Sequence, residues 1–201
     1  ADGVYFFNAT AKDIAGNVNS TNTRTVTLDT LVPVSSYGAG TDSNGSIVQR
    51  NFVIVNVSVI EVNLNTLNVS LYNRSGTVYR SNLTVSNVSF FLNFTSLSDG
   101  TYFFNVTVND SAGNRNLTLQ KRTVSIDTLF PTIDYETGTD SDGRNVSRNW
   151  TFINVSVTEG NEQTITFKIY NLLGEANTSI YSTAVRSVNF TNLQEGLYLF
   201  N

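Results

Sequence analysis

The chain has 201 residues, of which 14% are charged, and a formal net charge of −4. It contains no cysteine, histidine or methionine, which removes disulfides, thiol or imidazole catalysis, and every His or Cys metal site. The acidic balance argues against a nucleic-acid partner, and these residues hold no apolar run of membrane-spanning length.

Taken in chain order, the first 29 residues carry a strand start, "DGVYFFN" (2–8), a turn, "DIAGN", and a second strand, "RTVTL", before the connector "DTLVP" (29–33). The turn "GTDSNG" (40–45) leads into "FVIVNVSV" (52–59), where side chains alternate between faces. That phase puts Val53, Val55, Val57 and Val59 inside and Phe52, Ile54, Asn56 and Ser58 outside. The next strands bury Leu67, Val69 and Leu71, with Asn68 and Ser70 outside, then Phe90, Leu92 and Phe94, with Phe91 and Asn93 outside. In "TYFFNVTV" the inward set is Tyr102, Phe104, Val106 and Val108, and Phe103, Asn105 and Thr107 face out. "DSAGN" (110–114) makes a turn in which Gly113 supplies a positive φ, and "RTVSIDTLFP" (122–131) ends the unit.

The pattern then repeats. "DTLVP" returns as "DTLFP", "GTDSNG" as "GTDSDG" (138–143), "NVSV" (56–59) at 154–157 and "NFTSL" as "NFTNL", at an offset of 98 residues that falls to 96. Short strands separated by Gly, Asn, Asp and Ser clusters, with no helical stripe, read as an all-β fold of tandem sandwich repeats of about 98 residues. The divisions are 1–29, the last two strands of a truncated repeat; 30–127, a complete repeat; and 128–201, the N-terminal part of another. The expectation is a portion of a longer tandem chain.

"LSDGTYFFNVTVNDSAGN" (97–114) followed by "RTVSIDTLFP", with "DGVYFFNATAKDIAGN" and "RTVTLDTLVP" before it, resembles the immunoglobulin-like repeats of bacterial and archaeal surface proteins and adhesins. The resemblance implies an immunoglobulin-like β-sandwich with Tyr102 at the tyrosine corner and Phe104 where antibody domains carry a disulfide cysteine. Leu71 and Ile169 stand where antibody domains carry a buried tryptophan. It also implies an extracellular or cell-surface location, and the short proline-bearing connectors favour a rod.

Each outward asparagine tends to be followed two residues later by Ser or Thr, which makes it an N-glycosylation acceptor. There are 17 such sequons among 27 asparagines: Asn8, Asn19, Asn44, Asn56, Asn68, Asn73, Asn82, Asn87, Asn93, Asn105, Asn109, Asn116, Asn145, Asn149, Asn154, Asn177 and Asn189. Chance at this Ser and Thr content gives about six. A polar outer face of Asn and Thr without sugar is the plainer reading of the same residues. Apolar residues often precede the acceptor on the same face. Phe6, Phe52, Phe91, Phe103, Trp150 and Phe152 are therefore expected either to stack on a glycan or to contact another chain. N-glycans on a cysteine-free repeat of this kind point, by resemblance, to an archaeal surface.

The acidic turns offer Asp42, Asp140 and Asp142, with Asp99 and Asp127 near the same pole, as candidate Ca²⁺ ligands, although Asp, Ser and Gly also simply form turns. No other cofactor is expected. No acid pair is placed for catalysis, and no lysine recurs in register for an isopeptide cross-link. The sequence thus reads as a non-enzymatic, glycosylated surface stalk, adhesin or filament subunit that can self-associate into a fibre. The alternatives are a ligand- or glycan-binding module of a surface receptor, and a spacer attached to an enzyme elsewhere.

Overall fold

Valine and isoleucine set against Asn, Ser and Thr at a period of two commit the chain to extended structure. The computed structural model describes residues 1–84, 89–117, 119–182 and 184–201, and every regular element among them is a strand. Among these residues no helix is long and apolar enough to cross a membrane. The chain divides into two units, residues 1–128 and 129–201.

The first unit holds β1 (Gly3–Phe7), β2 (Thr10–Lys12), β3 (Val18–Ser20), β4 (Arg24–Leu28), β5 (Val34–Tyr37), β6 (Ser46–Val48) and β7 (Val53–Ile60). It continues with β8 (Leu64–Tyr72), β9 (Val78–Thr84), β10 (Ser89–Phe94), β11 (Gly100–Asp110), β12 (Arg115–Asn116) and β13 (Arg122–Ile126). One sheet runs β10-β7-β5; the sheet facing it runs β6-β13-β11-β8-β9, with β12 also on β11. All pairings are antiparallel except β6 with β13. This is an immunoglobulin-like sandwich. β1 with β4 and β2 with β3 form separate two-stranded sheets.

The inner faces meet in one core. Val53, Val55 and Val57 of β7, Leu67, Val69 and Leu71 of β8, and Phe104 and Val108 of β11 are fully buried. The phase read from alternation therefore holds for these strands. Phe90 and Leu92 are only partly buried, because β10 lies at the edge of its sheet, while Phe94 reaches the core. Tyr37 meets Phe104 edge-on, with ring centroids 5.5 Å apart. Tyr102 closes the tyrosine corner by donating its hydroxyl to the Ser98 carbonyl at 3.0 Å. Gly113 turns the chain between β11 and β12 at φ +95°, where a side chain would be strained.

The second unit holds β14 (Thr132–Tyr135), β15 (Thr151–Thr158), β16 (Ile165–Asn171), β17 (Gly174–Tyr181), β18 (Ser187–Phe190) and β19 (Leu199–Phe200). Its sheets run β14-β15-β18 and β17-β16-β19, around Ile153, Val155, Ile165, Phe167, Ile169, Val188 and Phe190. Ile169 is fully buried, as Leu71 is in the first unit.

Candidate functional site

The first aspartate of each acidic turn, Asp42 and Asp140, binds protein rather than presenting a free carboxylate. Asp42 is 8% exposed, forms an ion pair with Arg50 and accepts the Ile54 amide at 2.8 Å. The Arg50 guanidinium lies over the Phe52 ring, 4.5 Å from its centre. The second unit repeats this arrangement. Asp140 pairs with Arg148 and accepts the Thr151 hydroxyl at 2.8 Å, and Arg148 lies 4.0 Å over the Trp150 ring. Asp99 is also engaged, accepting the Thr128 hydroxyl at 2.8 Å and the Thr128 amide at 3.1 Å. Asp2 accepts the Thr30 hydroxyl in the same manner at 2.9 Å. The Asp of "DG" and the Thr of "DT" are thus partners across a strand pair, which accounts for their joint recurrence. Asp142 is exposed, and none of the five acids belongs to the group of converging acids found among the described residues.

The hydrogen bond from Arg148, aided by Thr151 and the nearby Arg144, holds the Asp140 carboxyl below its usual value against the opposing effect of burial. A carboxyl depressed on folding contributes stability above its unfolded value, about pH 4, and loses it as pH falls through the folded value. We expect the second unit to weaken progressively below about pH 4, and the Asp140→Asn variant to lose part of that dependence. Trp150 is the only tryptophan, so its fluorescence during urea unfolding at several pH values reads this unit directly.

The acids that do converge were not singled out by the turn pattern. Asp29, Glu61 and Asp110 bring carboxylate oxygens within 4.8 Å of one another, with Asp110 buried. Asp29 accepts the Asn63 side-chain amide at 2.9 Å, and Glu61 accepts the Asn63 backbone amide at 2.9 Å. Asn114 donates its backbone and side-chain N–H groups to Asp110, each at 2.8 Å. All-oxygen groups of this kind suit a hard cation such as Ca²⁺; here Asn63 and Asn114 donate N–H groups to them. A signal was present in the sequence. Each acid has a counterpart in register, Asp127 for Asp29, Glu159 for Glu61 and Asp13 for Asp110. Glu159 accepts the Asn161 amide at 3.0 Å, and Asp13 accepts from Asn17 as Asp110 does from Asn114.

The sequons separate by what their amides do. Asn56 donates its side-chain amide to the Ala39 carbonyl at 3.0 Å, and a Cβ on Gly38 would lie 2.8 Å from that nitrogen. Asn154 donates equivalently to Thr137 at 3.1 Å. In both, the side-chain amide is engaged by neighbouring backbone, so outward phase alone does not make a free acceptor. Asn68, Asn109 and Asn116 also donate their amides, to Ser70, Thr66 and the Pro33 carbonyl. Asn19, Asn44 and Asn73 use the side-chain oxygen, which accepts from Ser20, Thr123 and Thr77. The side chains of Asn8, Asn93, Asn145, Asn149, Asn177 and Asn189 are exposed, and that of Asn105 is half-buried. None of these seven is tied to another described residue by a side-chain hydrogen bond. Asn87, and the side chain of Asn82, lie outside the described residues.

The outward aromatics separate likewise. Phe52 and Trp150 carry arginines, and Lys121 sits 4.6 Å over the Phe103 ring. Phe152 packs against Gly138, where a Cβ would come within 3.3 Å of the ring. These four have cover from their own chain. Phe6, 70% exposed, and Phe91, 61% exposed, do not. Phe91 stands directly across from Asn56, and two residues along the same strand face is Asn93.

The architecture is that of an all-β chain of immunoglobulin-like sandwich units with in-register polar locks. A family model described as a secretion system C-terminal sorting domain matches residues 50–120. No curated protein matches the chain. Among solved structures, the tetra-tandem repeat in the extending region of a large adhesion protein is similar at 18% identity and a TM-score of 0.39. That match covers 96% of this chain and 48% of the adhesion protein structure. The FN1–FN3 domains of chicken CNTN1 are similar at 12% identity, over 98% of this chain and 68% of that one, with a TM-score of 0.41. CopC from Methylosinus trichosporium OB3b is similar at 15% identity over 42% of this chain and 85% of its own, with a TM-score of 0.34.

Proposed function

We propose that the chain is part of an extracellular structural protein, a cell-surface stalk or adhesin of tandem immunoglobulin-like repeats bearing N-glycans. The observation that carries this reading is what the repeats preserve. The Asp–Arg–aromatic lock of the turn, Asp42–Arg50–Phe52 and Asp140–Arg148–Trp150, recurs in register with the aromatic changed from Phe to Trp. The Asp–Thr bond of the connector and the Asp–Asn turn recur too. Bonds of this kind hold a sandwich together and offer nothing to a substrate.

In this reading residues 1–29 are the last strands of one repeat, 30–127 a whole repeat and 128–201 the next. Only residues 127–131, including Pro131, separate β13 from β14, and so short a connector restricts what the chain can do between repeats. Glycans would add bulk and solubility to a surface with few charges. The test is trypsin treatment of intact cells of the source organism. Peptides of this chain should appear in the supernatant without lysis; their recovery only after lysis would contradict a surface location.

A further inference from the structure

An asparagine loses its side-chain nitrogen when the backbone nitrogen of the next residue attacks the side-chain carbonyl carbon. Glycine, with no Cβ, hinders that attack least. Of the 27 asparagines, Asn44 alone is followed by glycine. The fold requires this glycine. The Ser46 amide donates to the Ser43 carbonyl at 3.2 Å to close a turn, and Gly45 takes its third position at φ +80°, the left-handed place of a type II turn. Asn44 and Gly45 are both exposed.

Both reacting groups are nevertheless tied, and to the same residue. The Gly45 amide donates to the Thr123 carbonyl at 2.8 Å, and the Asn44 side-chain oxygen accepts the Thr123 amide at 2.9 Å. Thr123 belongs to β13, which is anchored by the fully buried Val124 and runs on in parallel with β6, Val124 opposite Ser46 and Ile126 opposite Val48. β6 lies at the edge of its sheet. Opening an edge costs less than unfolding a whole sandwich, so the turn and β6 can part from β13 while the core stays closed.

The second unit holds the same turn with a different residue. The Arg144 amide donates to the Ser141 carbonyl at 3.2 Å and Gly143 has φ +69°, but Asp142 stands in the place of Asn44. The turn therefore accommodates the carboxylate that loss of the Asn44 nitrogen would create.

We propose that Asn44 is a self-modification site, held inert by its bonds to Thr123 and converted when the turn and β6 part from β13. The Gly45 nitrogen gives up its proton and bonds to the Asn44 side-chain carbonyl carbon. The side-chain carbon–nitrogen bond breaks, and the nitrogen leaves as ammonia with that proton, closing a cyclic succinimide. Water then opens the ring at either carbonyl, giving aspartate or isoaspartate. Aspartate reproduces the turn of the second unit. Isoaspartate routes the backbone through the former side chain and draws the Gly45 amide away from Thr123. Ammonia is lost to solution, so the product is a lasting record that the edge has opened.

The test is incubation of the 201-residue chain in mildly alkaline buffer, folded and in unfolding urea, followed by trypsin and mass spectrometry. The chain is used without glycans, so that the Asn44 nitrogen is free to leave. The peptide released by cleavage after Arg24 and Arg50 contains Asn44 and no other asparagine, so isoaspartate in it reads this site. Conversion should be at least about tenfold faster in urea, because the folded rate scales with the fraction of time the edge is open. Thr123→Pro keeps the carbonyl but lacks the amide that holds the Asn44 oxygen, and should convert faster than the parent while circular dichroism still reports a fold. Equal rates for folded and unfolded parent would overturn the proposal, as would an Asn44 that stays intact in urea. A folded Thr123→Pro chain that converts no faster would overturn it too; if that variant does not fold, the comparison on the parent decides alone.

Discussion

Asp42→Ala lowers the stability of the first unit by about 3 kcal/mol, the low end of what breaking a buried ion pair costs when one partner is left behind. Asp42 does two jobs: it pairs with Arg50 and accepts the Ile54 amide. Both of the groups it leaves are sheltered, since the Arg50 side chain is 24% exposed and Ile54 lies within the sheet. The loss therefore combines an unmatched guanidinium with an unsatisfied amide. Arg50→Met in the same protein removes the unmatched charge, so the double variant should be less destabilised than the sum of the singles. Urea unfolding followed by circular dichroism reports this transition, while Trp150 fluorescence marks the second unit and should not move. A loss below about 0.5 kcal/mol would show that the lock is a surface ion pair of little consequence.

Phe104→Ala costs about 3–5 kcal/mol, the range for emptying a buried aromatic site. Phe104 is fully buried, pairs across β11 and β8 with Leu71, and meets Tyr37 edge-on. With no cysteine in the chain, packing at this position stands in for a cross-link between sheets. A sandwich with a total stability of roughly 5–15 kcal/mol would lose a large share of it. Phe91→Ala, on the outer face of β10 in the opposite sheet, serves as the control and should stay within about 0.5 kcal/mol of the parent. Equal losses for the two phenylalanines would contradict the assignment of inner and outer faces.

Much of this was legible in the sequence because period-two alternation fixes which side chains share a face. The valines of β7 and the Tyr102–Val108 series needed only that rule. The repeat of "DG", "AGN" and "DT" marked the turns, and the structure supplies their chemistry as hydrogen bonds between motif residues. What alternation cannot see is contact between segments distant in sequence. Phe103 faces outward as read, yet Lys121 reaches over it from the approach to β13. Asn56 faces outward too, but the loop carrying Gly38 and Ala39 folds back onto its amide. Nor does alternation show that Asp42 and Asp140 pair with Arg50 and Arg148, eight residues further along the chain. The acids that do meet come from three separated segments, and only their common recurrence in register hinted at a shared role.

The central claim, a surface protein glycosylated where its amides are free, is tested most directly by glycopeptide mass spectrometry of protein from its natural source. The account predicts glycans at sequons without a side-chain partner, such as Asn8, Asn93 and Asn105, and bare asparagine at Asn56 and Asn154, whose nitrogens are held by Ala39 and Thr137. Unmodified peptides at every sequon, or occupancy at Asn56 and Asn154 equal to that at Asn93, would contradict it.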